Sequence, residues 1–387
     1  MPASTTAVTS LSNNERLARL RLIRTENVGP VTFRHLLDRF HSAERVLEAL
    51  PELARRGGRR RALRTPTVAD AEREIAIHHE HGAALIVIGD ANYPIRLAAV
   101  DDAPPVLSVL GRPGILARSS VALVGARNAS VNGRRLARQW AAELGDGGYV
   151  VTSGLARGID GAAHEGAMDT GTVAVLAGGV DVVYPVDHRA LYDRIADTGA
   201  IVAEAPIGTT PQARHFPSRN RIIAGLSLGV LVVEAAKRSG SLITARRALD
   251  QGREVFAVPG SPLDPRSAGT NGLLQEGAAH LVQTADDVRQ VLDTLPGHSI
   301  TSLVLGASHR GNVGETKTSA KASPPPDQAR HRVLDVLGPE PVPVDELIRE
   351  CQLSAPVVAT VLLEAELAGQ VDRHPGNQVS RRVELPA

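Results

Sequence analysis

An α/β protein built on a doubly wound parallel sheet is what this sequence predicts, and three observations predict it. Six short runs, VALVG (121–125), YVVTSG (149–154), TVAVLAGG (172–179), AIVAEAP (200–206), GVLVVEA (229–235) and EVFAVPG (254–260), are apolar without alternation. Strands covered on both faces read this way. Helical patterns separate them, among them 133–144, 160–169 and 187–197. Nearly every run ends in glycine or a small polar residue, the signature of tight strand-to-helix turns. A further strand is expected at 280–284, before a helix over 286–295.

The elements outside the sheet follow in order. Residues 1–12 are polar and expected to be disordered. From 15 to 50 the apolar spacing is helical, with a break at Glu26-Asn27-Val28-Gly29-Pro30. A glycine turn before a helix start resembles a sterile-alpha-motif or helix-hairpin-helix arrangement, whose turn amides can grip a phosphate; it also suits an ordinary turn in a small helical bundle. Six arginines then fall between Arg55 and Arg64, either a solvated loop or a patch for a nucleic-acid backbone. His78, His79 and His81 lack a carboxylate or cysteine at ligand spacing and are expected on the surface. Strand-like ALIVIG (84–89) and the segment around Pro104-Pro105 lead into the sheet.

The domain boundaries read as a helical unit over 1–80, the sheet domain over 81–296, a Gly, Ser, Thr, Lys and Pro-rich flexible linker over 297–327, and a small unit over 328–387. That last unit shows helices at 329–337, 344–350 and 354–367, then a hairpin over 370–383, a winged-helix-like order. Its third helix, SAPVVATVLLEAELAG, carries no arginine or lysine, which argues for protein contact over groove reading.

Composition narrows the function classes. The chain has 387 residues and a formal net charge of +1, so any basic patch is local. A single cysteine, Cys351, excludes an internal disulfide framework and a cysteine-built zinc site. No apolar run approaches the roughly 20 residues of a membrane span, and the N-terminus lacks an apolar signal core, so a cytoplasmic protein without a membrane span is expected. Aromatics make up 2% of the chain, which argues against a site of stacked bases on aromatic platforms.

In an open parallel sheet, ligands bind beyond the carboxyl ends of the strands, where helix N-termini point N–H groups outward. The residues expected there are Gly125 and Arg127, Ser153, Gly154 and Arg157, Phe216, Arg219, Asn220 and Arg221, and Lys237, Ser239, Gly240 and Ser241. Guanidinium groups and free amides suit a phosphate. Some of the arginines have an alternative as partners of Asp160, Glu204 or Glu234. Asp160 and His164 lie four apart on one helix face, as an acid/base pair or as a brace for the preceding turn. There is no G-x-S-x-G elbow, no H-E-x-x-H and no Walker A sequence, and no cofactor or metal is called for.

The segments SGLARGIDGAAH (153–164), AGGVDVVYP (177–185), FPSRNRIIAGLS (216–227), VVEAAKRSGSLITARRALDQGREVFAVPG (232–260) and SAGTNGLLQEGA (267–278) closely resemble the DprA/Smf family of DNA-processing proteins. The resemblance is strong over 84–295. It implies an extended Rossmann-like sheet domain and a non-enzymatic role: sequence-independent binding of single-stranded DNA, protection of incoming DNA in natural transformation, loading of a RecA-type recombinase, and homodimers through the central domain. The family's Gly-Ser-Arg turn falls on 125–127, here Gly-Ala-Arg, and its F-P-x-R-N-R segment on 216–221. Val186 stands where some relatives carry a basic residue, leaving Arg214 or Lys237 to compensate. Arg127→Ala and Arg219→Ala are each expected to weaken binding and flatten its salt dependence. Two rival readings remain: a nucleotide-processing enzyme that cleaves nucleoside monophosphates, relying on Glu234 or Asp160, and a scaffold whose end domains do the binding.

Overall fold

The computed structural model describes residues 11–295, 326–374 and 376–382. The expected disorder over 1–12 and the linker over 297–327 fall almost wholly outside them. The chain divides into two compact units: one holds the sheet, and the other joins Ser12–Glu72 to the C-terminal segment. The end segments, separate in the sequence reading, are thus one body.

The large unit is a nine-stranded sheet. Its strands are β1 (Ala83–Val87), β2 (Val106–Gly111), β3 (Ser120–Val124), β4 (Val150–Ser153), β5 (Thr172–Val175), β6 (Ala200–Ala203), β7 (Gly229–Val232), β8 (Glu254–Ala257) and β9 (His280–Leu281). They lie in the order β1-β2-β6-β5-β4-β3-β7-β8-β9. From β6 to β9 all pairs are parallel, while β2 runs antiparallel to both β1 and β6. The parallel strands β3 to β7 are buried at every position, as their unbroken apolar runs require.

Helices cover both faces: α6 (Val131–Asp146), α7 (Ile159–Gly166), α8 (Arg189–Thr198), α9 (His215–Leu226), α10 (Gly240–Asp250), α11 (Ala268–Gln275) and α12 (Ala285–Asp293). One apolar cluster includes Val124, Val175, Ile222 and Val232, and another includes Leu123, Trp140, Ile159 and Phe256. Adjacent residues of β3 thus feed opposite cores. The chain builds β3 to β6 outward in one direction, then returns past β3 to build β7 to β9 in the other. The neighbours β3 and β7 are therefore the switch point, and the crevice beyond their carboxyl ends is where such sheets take ligands.

Two expectations change. The strand read at 280–284 shrinks to His280–Leu281, because Thr284 instead caps α12 in a reciprocal pair with Asp287. His78 is not on the surface: it is 1% exposed, bonded to the Glu74 carbonyl and the Ser108 hydroxyl, both at 2.7 Å.

The small unit begins with α1 (Asn13–Ile23), α2 (Pro30–Phe40) and α3 (Ala43–Arg56). Gly29 caps α2 with Pro30 at its first position, where a missing N–H is harmless. After α4 (Val68–Glu80) and the whole large unit, which also carries the short α5 (Ile95–Ala98), the chain returns with α13 (Pro326–Val336), β10 (Val342–Pro343), α14 (Val344–Cys351), α15 (Ala355–Leu367), β11 (Val371–His374) and β12 (Gln378–Arg381). The sheet order β10-β12-β11, all antiparallel, makes this a winged helix. Part of the arginine run is neutralised: Arg55 and Arg56 pair with Glu52, and Arg59 with Glu26.

Candidate nucleic-acid interface

The strand-end surface has a buried frame and an exposed layer above it. The frame starts at Gly154, just after β4. A Cβ there would lie 2.3 Å from the Arg219 guanidinium, so only glycine fits. Arg219 comes from α9 and donates to the Gly154 carbonyl at 2.7 Å and to the Val175 carbonyl at the end of β5. It is 6% exposed. Burial pulls its guanidinium down to about 10, and the same burial pushes the nearby Asp160 carboxyl above its ordinary range.

Asp160 accepts the N–H groups of Gly154 at 3.1 Å and Ala156 at 3.4 Å. His164 accepts the Leu155 N–H at 3.3 Å through Nε2 and donates from Nδ1 to Thr172 at 2.7 Å. Burial holds that ring neutral down to about 3. Leu155 sits at φ 57°, a left-handed conformation unusual for a branched side chain. Asp160 and His164 therefore brace this turn, each bonded to its backbone. Ser153 is part of the same frame: it is fully buried and donates to the Leu123 carbonyl at 2.6 Å.

A second brace holds the loop after β3. A Cβ on Gly125 would press on Ile159 at 2.5 Å and the Glu234 carbonyl at 2.9 Å. The Ala126 N–H donates to that carbonyl at 2.7 Å. The Glu234 carboxylate accepts the backbone N–H and the hydroxyl of Ser130, which in turn caps α6. The two carboxylates a nucleotide-cleaving enzyme would rely on are thus both occupied with loop backbone.

Above the frame lies the exposed layer. Arg127 is exposed, and its guanidinium lies 5.1 Å from the centre of the Phe216 ring. Arg219 approaches the same ring from below at 5.9 Å. Tyr184, half exposed, packs against Phe216 at 5.7 Å with the rings tilted by 57°. Gly154, Gly178, Val182, Tyr184, Phe216 and Arg219 line a shallow cleft there. On the neighbouring loop Lys237 is exposed, and Ser239 caps α10, its hydroxyl 2.7 Å from that of Ser241. A larger cavity of about 430 Å³, lined by Arg112, Arg118 and Gly171, lies at the opposite, amino-terminal ends of the strands.

The expected site residues therefore divide. Arg127, Phe216, Lys237 and Gly240 are at least partly open to solvent. Arg157 is exposed but ion-paired with Asp187. Arg219, Asn220, Arg221, Ser153 and Ser241 are buried. Arg221 donates to both Glu204 oxygens, at 2.7 and 2.8 Å, with Asp102 at 3.7 Å. Asn220 accepts from Arg219 and donates to the Gly240 carbonyl. The expectation that Arg219 and Arg221 contact a ligand gives way to a supporting place, because a buried guanidinium takes the carbonyls and carboxylates within reach. Sequence reasoning missed Tyr184, Glu234 as a brace, and Asp187. For Tyr184 a signal existed: in a chain with four Phe, four Tyr and one Trp, an aromatic beside a glycine-rich strand end stands out. Against the low aromatic content, two of these few rings meet at the strand ends.

Fold and surface together define a class: an α/β protein that presents cations and an aromatic pair on a polar frame at the switch point of a doubly wound sheet. The chain belongs to the DprA family. The family model described as DNA recombination-mediator protein A matches residues 84–293, the DprA-like N-terminal HHH domain 13–76, and the DprA winged helix domain 317–377. Protein Smf of Escherichia coli is 40% identical over 298 residues, 75% of each chain. The structure of DNA processing protein A from Streptococcus pneumoniae superposes with a TM-score of 0.60 at 36% identity, covering 73% of this chain and 98% of that one. A structure from Helicobacter pylori, described as showing a single-stranded DNA binding mode, reaches 0.51 at 28% identity, covering 54% and 95%. Among the described residues no helix is long and apolar enough to cross a membrane, and no cluster of His, Cys, Asp or Glu could hold a metal ion.

Proposed function

We propose that this chain grips single-stranded DNA, without regard to sequence, at the strand ends of its large unit, and acts without catalysis as a recombination mediator. The observation that carries the reading is Arg127, exposed and laid over Phe216 beside Tyr184, above a frame that holds its own charges buried. A solvated guanidinium takes a phosphate of any nucleotide, and an aromatic face takes any base. Neither reads a base edge. The family membership and the Helicobacter pylori relative support the choice of polyanion. Handing the strand to a RecA-type recombinase, homodimer formation and a cytoplasmic location belong to the same proposal; sedimentation and a recombinase-loading assay read the first two.

The test is an oligonucleotide titration across salt. Arg127→Ala should lower affinity about tenfold, the worth of one charge-assisted hydrogen bond. The slope of log affinity against log salt should fall by about 0.7, one phosphate contact on a single strand. Unchanged affinity and slope would overturn the placement of the site.

A further inference from the structure

Asp187 sets a negative charge beside a surface suited to phosphates, and that sign works against a polyanion. Its side chain is 67% exposed and pairs with Arg157, itself 63% exposed. Two other acids of the site, Asp160 and Glu234, are turned onto loop backbone. Asp187 instead accepts one bond from Arg157, from Nη2 to a single carboxylate oxygen. Among the described residues neither side chain has another partner.

The backbone on both sides of this pair is fixed. Arg157 precedes Gly158, which stands at φ 81°. A Cβ there would lie 2.2 Å from the Ala126 carbonyl oxygen and 2.7 Å from that of Arg127. The Ile159 N–H donates to the same Ala126 carbonyl at 3.3 Å. The loop of Arg157 is thus pressed on the loop of Arg127. Asp187 lies in a single 3₁₀ turn, Val186–His188. His188 donates from Nδ1 to the Leu155 carbonyl at 3.0 Å, and its ring lies 2.9 Å from where a Cβ on Gly161 would stand. Just upstream, Val186 is 77% exposed and Tyr184 rests on Phe216. The pair therefore bridges the Arg127 loop to the Tyr184 turn, and it can open by side-chain rotation alone.

An ion pair so exposed is weak, because water solvates both charges when it opens. A phosphate offers the guanidinium several oxygens in the bidentate geometry its fork prefers, where Asp187 offers one. Taking the strand ends as a single-strand site, as proposed above, we propose that Arg157 is a second phosphate contact and that Asp187 is a built-in competitor for it. The site then grips less tightly than its cations would allow. When a phosphate replaces Asp187, the strand sheds a counterion and the freed carboxylate takes one up, so the exchange is almost silent in the salt dependence. With the competitor gone, the same contact releases its counterion outright.

The test is a single-strand oligonucleotide titration across salt, on the full chain. Asp187→Asn, which keeps the size of the side chain, should raise affinity about threefold, the scale of an exposed ion pair, and steepen the slope of log affinity against log salt by about 0.7. Adding Arg157→Gln to Asp187→Asn should abolish both gains. Arg127→Ala, measured alongside, separates the competitor from the site it rests on. If Arg127→Ala weakens binding while Asp187→Asn changes nothing, the site stands and the competitor falls. If Arg127→Ala changes nothing, the site falls and the competitor with it. Weaker binding in Asp187→Asn would make the pair a tie between loops, and a gain that survives Arg157→Gln would leave Asp187 merely repelling the strand; either result overturns the proposal.

Discussion

The two units use their buried charges differently. At the strand ends of the large unit, Arg127 and Lys237 are open to solvent while Arg219 and Asp160 are sealed beneath them. In the small unit Asn27 and Thr32 bond the C-terminal end of α15 at Leu367 and Glu366, while Gly29 and the first turn of α15 stay open. A motif thus states a capacity, and exposure decides whether it is used. In the large unit a buried ion supports an exposed one; in the small unit the half-buried Glu366 ties α15 to Thr32 of α2.

The largest effect expected from this comparison is at Arg219, where the sequence suggests a contact and the structure shows a support. Arg219→Ala removes the guanidinium that holds the Gly154 and Val175 carbonyls and leaves the Asp160 charge buried without it. Leaving two buried carbonyls without their donor costs about 2 kcal/mol or more. Chemical denaturation should show that loss in Arg219→Ala and a change under about 0.5 kcal/mol in Arg127→Ala, an exposed position. Equal, small losses at both would dissolve the distinction between frame and exposed layer.

The frame also predicts a pH signature. In the unfolded chain His164 titrates near its ordinary 6.5, whereas burial lowers it in the fold to about 3. Between those values the unfolded chain binds the proton and the folded chain does not. Folding stability therefore falls as pH drops from about 6.5 toward about 3, by up to about 1.4 kcal/mol per pH unit from this one group. Asp160, shifted upward, acts with the opposite sign, favouring the fold at lower pH, so the difference between His164→Asn and the parent isolates the ring. The two denaturation profiles should converge as pH falls through that window; parallel profiles would remove His164 from the brace.

The sheet was legible because burial on both faces leaves a run such as GVLV without polar residues, and its turns because Gly125 and Gly154 sit where no Cβ fits. Within the site, Arg127 and Phe216 were legible as types in a strand-end turn and a helix start. The sorting of exposed from buried arginines was not. Arg219 is held by two main-chain carbonyls, and a carbonyl leaves no mark in the sequence. The union of the two ends of the chain was hidden for a related reason. Asn27 and Leu367 are 340 positions apart, and their bond uses a backbone oxygen. His78 misled because a histidine with a hydroxyl and a carbonyl for partners looks, in one dimension, like any surface histidine.

The smallest expected effect tests the exposed layer without its charge. Tyr184 is half exposed and tilted against Phe216, so its ring adds a face to the site while contributing little to the core. If that face stacks on a base, Tyr184→Ala should weaken single-strand binding by about 1 kcal/mol, the low end for one stacked base, roughly a fivefold loss. Stacking releases no counterion, so the salt slope should stay at the parent's value, unlike that of Arg127→Ala. Tyr184→Phe should bind as the parent does, because the ring and not the hydroxyl is the working part. A slope that falls with Tyr184→Ala would mean the ring only positions the Arg127 loop, and the platform would then be electrostatic alone.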